Sequence, residues 1–219
     1  MPVLEAVRTY PRHILLTMGA SCAVAGFVYI VTAFVLTYAT QAVGLPRQLV
    51  LNAVIAGAAV QLVGVPSFGA LSDRLGRRPV FLFGAAFGSL MAFPFFWLID
   101  SGRPELLMAA LVLGTIGPAA MFGPQTSFFA ELFGTRVRYS GASLGNQVAS
   151  VFAGGLSPFV ATALLAASRG SPAPIALYMV ALGLVSMVSV WAAAETAGLP
   201  KSGRLAPATT APLVTEGRV

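Results

Sequence analysis

The sequence predicts an all-α membrane protein with six transmembrane helices, and three observations carry that expectation. Of the 219 residues, 57% are hydrophobic and only 9% are charged, against roughly a quarter charged in an ordinary soluble domain. Six apolar runs reach the about 20 residues that a helix needs to cross the hydrocarbon core. They cover residues 14–39, 50–71, 79–99, 106–130, 142–167 and 174–194, and none contains Asp, Glu, Lys or Arg. Every charge therefore falls in a connecting segment or near a terminus.

Segment 1–13 carries Arg8, Arg12 and the single histidine, His13, which without partners cannot build a metal site. The first run is about twice as long as the 7 to 15 residues of a secretory signal core, so it reads as a true span. It holds the lone cysteine, Cys22, which excludes a disulfide framework. Gly19, Ala23, Gly26 and Ala33 recur near one face as a packing stripe. Tyr29 and Thr32 are polar positions in this run, and Gln61 is one in the second.

Between the second and third runs lies the densest charge of the chain, Ser72-Asp-Arg-Leu-Gly-Arg-Arg78. The fourth run contains Gly117-Pro118 and Gly123-Pro124 in mid-membrane, followed by Gln125. Each proline removes a backbone donor and strains a helix, so these four residues are expected to break or hinge it. In the fifth run Gly141 and Gly145 have GxxxG spacing, and Ser143, Gln147 and Ser150 are spaced to share one helical face. A shared polar face lines a cavity or bonds a neighbouring helix. The tail, 199–219, lacks apolar periodicity and is expected to be disordered. The domain reading is thus 1–13, a six-helix unit over 14–198, and 199–219.

Net charge is +6, and its placement excludes a nucleic-acid face. Ten of the thirteen basic residues fall in the N-terminal segment, the second and fourth connections and the tail, whereas Arg47, Arg103 and Arg169 fall on the other side. Lys and Arg accumulate in cytoplasmic loops. Both termini and the Asp73–Arg78 cluster are therefore expected in the cytoplasm of a plasma (bacterial inner) membrane protein. No paired carboxylate, activated nucleophile or metal cluster lies in the runs, so no catalytic residue, metal or cofactor is assigned and an enzyme is not expected.

Gly69-Ala-Leu-Ser-Asp-Arg-Leu-Gly-Arg-Arg78 resembles the signature loop of the major facilitator superfamily, G-x-x-x-D-R-x-G-R-R, which joins the second and third helices of each half of that fold. Residues 123–145, GPQTSFFAELFGTRVRYSGASLG, resemble the tenth-to-eleventh helix region of its metabolite:H+ symporter family, which includes shikimate, α-ketoglutarate, citrate and proline/betaine transporters. Tyr10-Pro-Arg12 and the Tyr29–Tyr38 region resemble that family's seventh helix, and Ala194-Glu-Thr-Ala-Gly198 the end of its twelfth.

The resemblance implies that the six runs are helices seven to twelve of such a fold. It also implies secondary active, proton-coupled transport of a small organic acid or zwitterion. The implied partners are the bilayer, substrate and protons, with an N-terminal half or a second copy completing the pathway. A cytoplasmic latch is implied for Asp73, Arg74, Arg77, Arg78, Glu131 and Arg138, with Arg136 nearby. Tyr29, Thr32, Gln61, Gln125, Ser143, Gln147 and Ser150 are the substrate-cavity candidates. The alternative is a non-transporting membrane remnant or helix-binding scaffold.

Overall fold

The computed structural model describes residues 7–133 and 137–193. Calls on residues 1–6, Arg136, the 194–198 motif and the 199–219 tail lie outside the described residues. Six helices long and apolar enough to span a membrane are present: α1 (Pro11–Ala42), α2 (Arg47–Leu75), α3 (Arg77–Asp100), α4 (Pro104–Glu131), α5 (Arg138–Ala167) and α6 (Ala173–Ala192). Their ends lie within a few residues of the runs read from sequence. Such agreement is expected, since a chain in lipid must satisfy its backbone polar groups internally and helices do so locally.

Glycines set how the helices meet. Along α2, Gly57 faces Thr115 and Leu111 of α4, Gly64 faces Ala119, and Gly69 faces Gly123. The matched positions rise together, so α2 and α4 run in the same direction. Against α3 the order reverses: Gly84 faces Gly117 and Met121, whereas Gly114 faces Phe95. Helix α4 is thus wedged between a parallel and an antiparallel neighbour. Helix α1 has the same relation to α5 and α6. Gly145 and Gly154 of α5 meet Thr17 and Tyr29 in ascending order, while Gly19 and Gly26 meet Ser189 and Leu182 of α6 in descending order.

Fully buried Phe27, Phe34, Phe81, Phe95, Phe96 and Phe128 fill the interior. Phe27 of α1 lies against Gly88 of α3, where a side chain would displace its ring, and beside Gly183 of α6. It joins the two three-helix groups. In lipid this packing, not exclusion from water, holds helices together, and small residues allow it.

One expectation is corrected. Helix α4 is continuous through Pro118 and Pro124, so the helix is not broken at Gly117-Pro118 or Gly123-Pro124. Gly117 and Gly123 serve instead as close-approach points, where an added Cβ would fall 3.0 Å from the Gly84 carbonyl oxygen and 2.6 Å from the Gly69 nitrogen. The irregularities lie elsewhere, as π-helical turns at Ile30–Phe34 and Tyr38–Ala42 in α1 and at Ser150–Gly155 in α5. The last of these flanks α1, where Gly154 packs against Tyr29 and Ala25. Ser157, just beyond it, donates to the Ala153 carbonyl and lies 3.1 Å from the Tyr178 hydroxyl of α6.

Gly123→Ala is expected to lower stability by about 1–3 kcal/mol, the usual cost of overpacking, because its Cβ would meet backbone atoms that cannot rotate away. Gly155→Ala, whose Cβ would find only the Ser150 carbonyl at 3.9 Å, serves as the control. Thermal unfolding of both variants in detergent checks the difference.

Candidate functional site

The charge cluster of the 69–78 motif is shaped by one glycine. Helix α2 ends at Leu75 and α3 begins at Arg77, leaving Gly76 as the whole connection, with φ of 100°. That left-handed conformation is strained for any side chain and free for glycine. Arg77 therefore enters the first turn of α3 pointing toward the last turn of α4. Its Nη1 lies 2.8 Å from Glu131 Oε1, and its Nη2 lies 3.6 Å from Asp73 Oδ1.

The two contacts are unequal. Arg77 and Glu131 side chains are 17% and 29% exposed, whereas Asp73 is 68% exposed. An exposed pair at long range is worth little, since water competes for both partners. The Glu131 pair, shorter and drier, is the one that ties α3 to α4.

Among the described residues, the other basic residues of the expected latch make no ion pair with it. Arg78 donates from Nη2 to the Trp191 carbonyl at 2.5 Å. It thereby places a cation at the C-terminal end of α6, where the helix dipole and unpaired carbonyls favour one. Arg74 is exposed and makes no ion pair among the described residues. Arg138 opens α5, half-buried, and its Nε is buried with no hydrogen-bond partner among the described residues.

Further into the bundle, Gln125 of α4 is buried, and its Nε2 donates to Asn146 Oδ1 of α5 at 2.8 Å. Ser21 of α1 donates to the same oxygen at 3.1 Å. This three-helix polar junction was only partly legible: Asn146 is a polar residue within the fifth run, but Ser21 gives no signal among small neighbours. Ser143, Asn146 and Gln125 share the wall of a cavity of about 380 Å³ between α4 and α5 with Arg138, Tyr139 and Phe122.

The remaining cavity candidates are dispersed. Gln147 is exposed and outside this cavity, and Ser150 begins the π turn. Of the expected common face of Ser143, Gln147 and Ser150, only Ser143 lines this cavity, whose α5 wall is formed by Arg138, Tyr139, Ala142, Ser143 and Asn146. Tyr29 packs on Gly154 and is 43% exposed. Thr32 donates to its own helix at the Val28 carbonyl, 2.6 Å away, and Gln61 is half-buried on α2.

At the end of the bundle opposite the charge cluster, Tyr38 donates its hydroxyl hydrogen bond to Asp100 Oδ1, tying α1 to α3. Phe34 stacks on Tyr38, and Phe96 meets it edge-on. Sequence reading missed this pair because Asp100 lies one residue beyond the third apolar run.

A double-mutant cycle on Arg77 and Glu131 is expected to give a coupling of about 1–2 kcal/mol, between that of an exposed ion pair and that of a buried hydrogen bond to a charged group. The cycle on Arg77 and Asp73 is expected to give less than about 0.5 kcal/mol. Chemical unfolding in detergent reads both.

Residues 16–217 match the family model of the Major Facilitator Superfamily. The chain is 37% identical over 190 residues to the shikimate transporter of Escherichia coli (strain K12), covering 86% of this chain and 43% of that protein. It is 35% identical over 173 residues to an inner membrane metabolite transport protein of the same strain, covering 77% and 39%. A proline/betaine transporter of that strain is 33% identical over 138 residues, covering 63% and 27%. The chain spans less than half the length of these relatives. The matched model, the six apolar helices and the motif at 69–78 lead to one conclusion: this chain is a multi-pass membrane protein that belongs to the Major Facilitator Superfamily.

Proposed function

We propose that the chain works in secondary active transport of a small organic acid or zwitterion across a bacterial inner membrane, coupled to protons. Its six helices act as the half corresponding to helices seven to twelve. The pathway is completed by a second six-helix unit, either an N-terminal half or another copy of the chain. The charge cluster and both ends of the six-helix unit face the cytoplasm, in keeping with the ten-to-three division of basic residues.

The observation that carries this reading is the Arg77–Glu131 ion pair, 2.8 Å long, at one end of a six-helix unit whose relatives are named as transporters. It supports a latch that holds the end of α4 against the start of α3 and opens as the helices rock. A partly hydrated ion pair is strong enough to bias one state and weak enough to break. Asp73 is a peripheral member of this latch, and Arg138 stands apart from it.

The chain is reconstituted in liposomes, alone and together with an N-terminal half, and given a pH gradient acid on the outside. Uptake of labelled shikimate, proline or glycine betaine is the expected outcome, abolished by a protonophore. Well-folded protein that moves none of them in either preparation overturns the reading. In a transporting assembly with Cys22→Ser, Glu131→Gln is expected to raise maleimide labelling of a cysteine placed at Thr126. Unchanged labelling removes the latch.

A further inference from the structure

The cavity between α4 and α5 is electrostatically one-sided. Among the described residues no acid stands on its wall, and Arg138 is the only charged group there. A guanidinium has five donors and no acceptor, and burying a donor of a charged group without a partner is costly. The Arg138 Nε is in that position among the described residues. The acid nearest along the described chain, Glu131, pairs with Arg77 at 2.8 Å and makes no ion pair with Arg138.

The polar wall adds a second donor. Asn146 Oδ1 accepts from both Ser21 and Gln125, which fixes the amide plane. The remaining Nδ2 group has donors to offer and no partner of its own among the described hydrogen bonds. The first turns of α5 add the positive end of a helix to the same wall, where anions are favoured. Phe122, Phe129 and Ala142 supply apolar surface beside these donors. The volume, about 380 Å³, lies at the small end of ligand sites, which run from roughly 300 to 1,000 Å³.

We propose that this cavity is a binding site for a small monocarboxylate with a compact apolar body, in which Arg138 contacts the carboxylate and the Asn146 amide donates a second hydrogen bond. Arg138 is thereby a ligand-binding residue and not a member of the charge latch. The site lies in the part of the bundle nearest the charge cluster, within about two and a half turns of the helix ends at Glu131 and Arg138. As a station on a transport path it rests on the transport reading, but ligand binding there does not require transport.

The test is equilibrium binding of benzoate to the purified chain in detergent, with the isosteric neutral benzamide as its partner probe. Benzoate is expected to bind and benzamide to bind at least about tenfold more weakly, since a charge-assisted contact is worth a decade or more in affinity. Arg138→Gln is expected to weaken benzoate by at least about tenfold, with partial recovery in Arg138→Lys. Arg103→Gln, exposed at the other end of the bundle, leaves binding unchanged.

Asn146→Asp provides a second variant. It keeps the oxygen that accepts from Ser21 and Gln125, removes the amide donor and adds a negative charge, so benzoate binding should be lost while benzamide is unaffected. The proposal is overturned if benzoate and benzamide bind alike, or if Arg138→Gln and Asn146→Asp both bind benzoate as the parent does. It is also overturned if nanodiscs of phosphatidylglycerol, and not of phosphatidylcholine, displace benzoate, which would make a lipid headgroup the occupant. Arg138-dependent benzoate binding without uptake in liposomes would sink the transport reading and leave the site standing. Uptake with benzoate binding independent of Arg138 would do the reverse.

Discussion

The approach of α4 to α2 at Gly123 and Gly69, with backbone atoms in contact, is the constraint from which the polar parts of this structure follow. Helix α4 can sit that close only because neither residue has a side chain. Gln125 and Glu131 then follow at fixed offsets of about 3 and 12 Å along a helix that rises 1.5 Å per residue. The first meets Asn146 of α5 and the second meets Arg77 of α3. Moving α4 outward by the width of a methyl group would weaken both contacts together, although neither touches the glycines.

Packing follows an exchange between the two halves of the unit. Helix α4 is held mainly by α2 and α3, and α1 by α5 and α6. Each group of three thus takes its first helix from the other group, the relation expected of the 3+3 repeats nested in this superfamily. Apart from α3 and α4, neighbours in sequence are therefore not the principal neighbours in space. The unit resists separation into 1–3 and 4–6, because α1 and α4 would each be left without their packing glycines.

The six spans were legible because lipid imposes length and apolarity on each helix separately, with no reference to its neighbours. Side-chain placement was less legible, because it depends on which helix lies alongside. Gly117 and Gly123 read in sequence only as halves of Gly-Pro pairs, and the backbones of α3 and α2 beside them show that they are also close-approach points. Ser143 and Asn146 face the cavity while Gln147 does not, a rotation within α5 that spacing alone cannot fix. Arg77 and Arg138 read as equivalent basic residues by position in their connections, yet one is paired with Glu131 and the other has a buried Nε without a partner among the described residues. Tyr38 and Asp100 are 62 positions apart, and only the parallel packing of α1 on α3 unites them.

The π turns of α1 and α5 give those helices a length tolerance that α4 lacks. A π turn contains one residue more than the α-helical turn it replaces. Deletion of a residue there restores an ordinary turn and leaves the flanking segments in register. In α4 the same deletion would rotate everything beyond it by about 100°, carrying Gly117 or Gly123 off the backbone it faces. Among the described helices, chain length is thus negotiable in the two that carry π turns and fixed in the one that looked, from its prolines, the most likely to give.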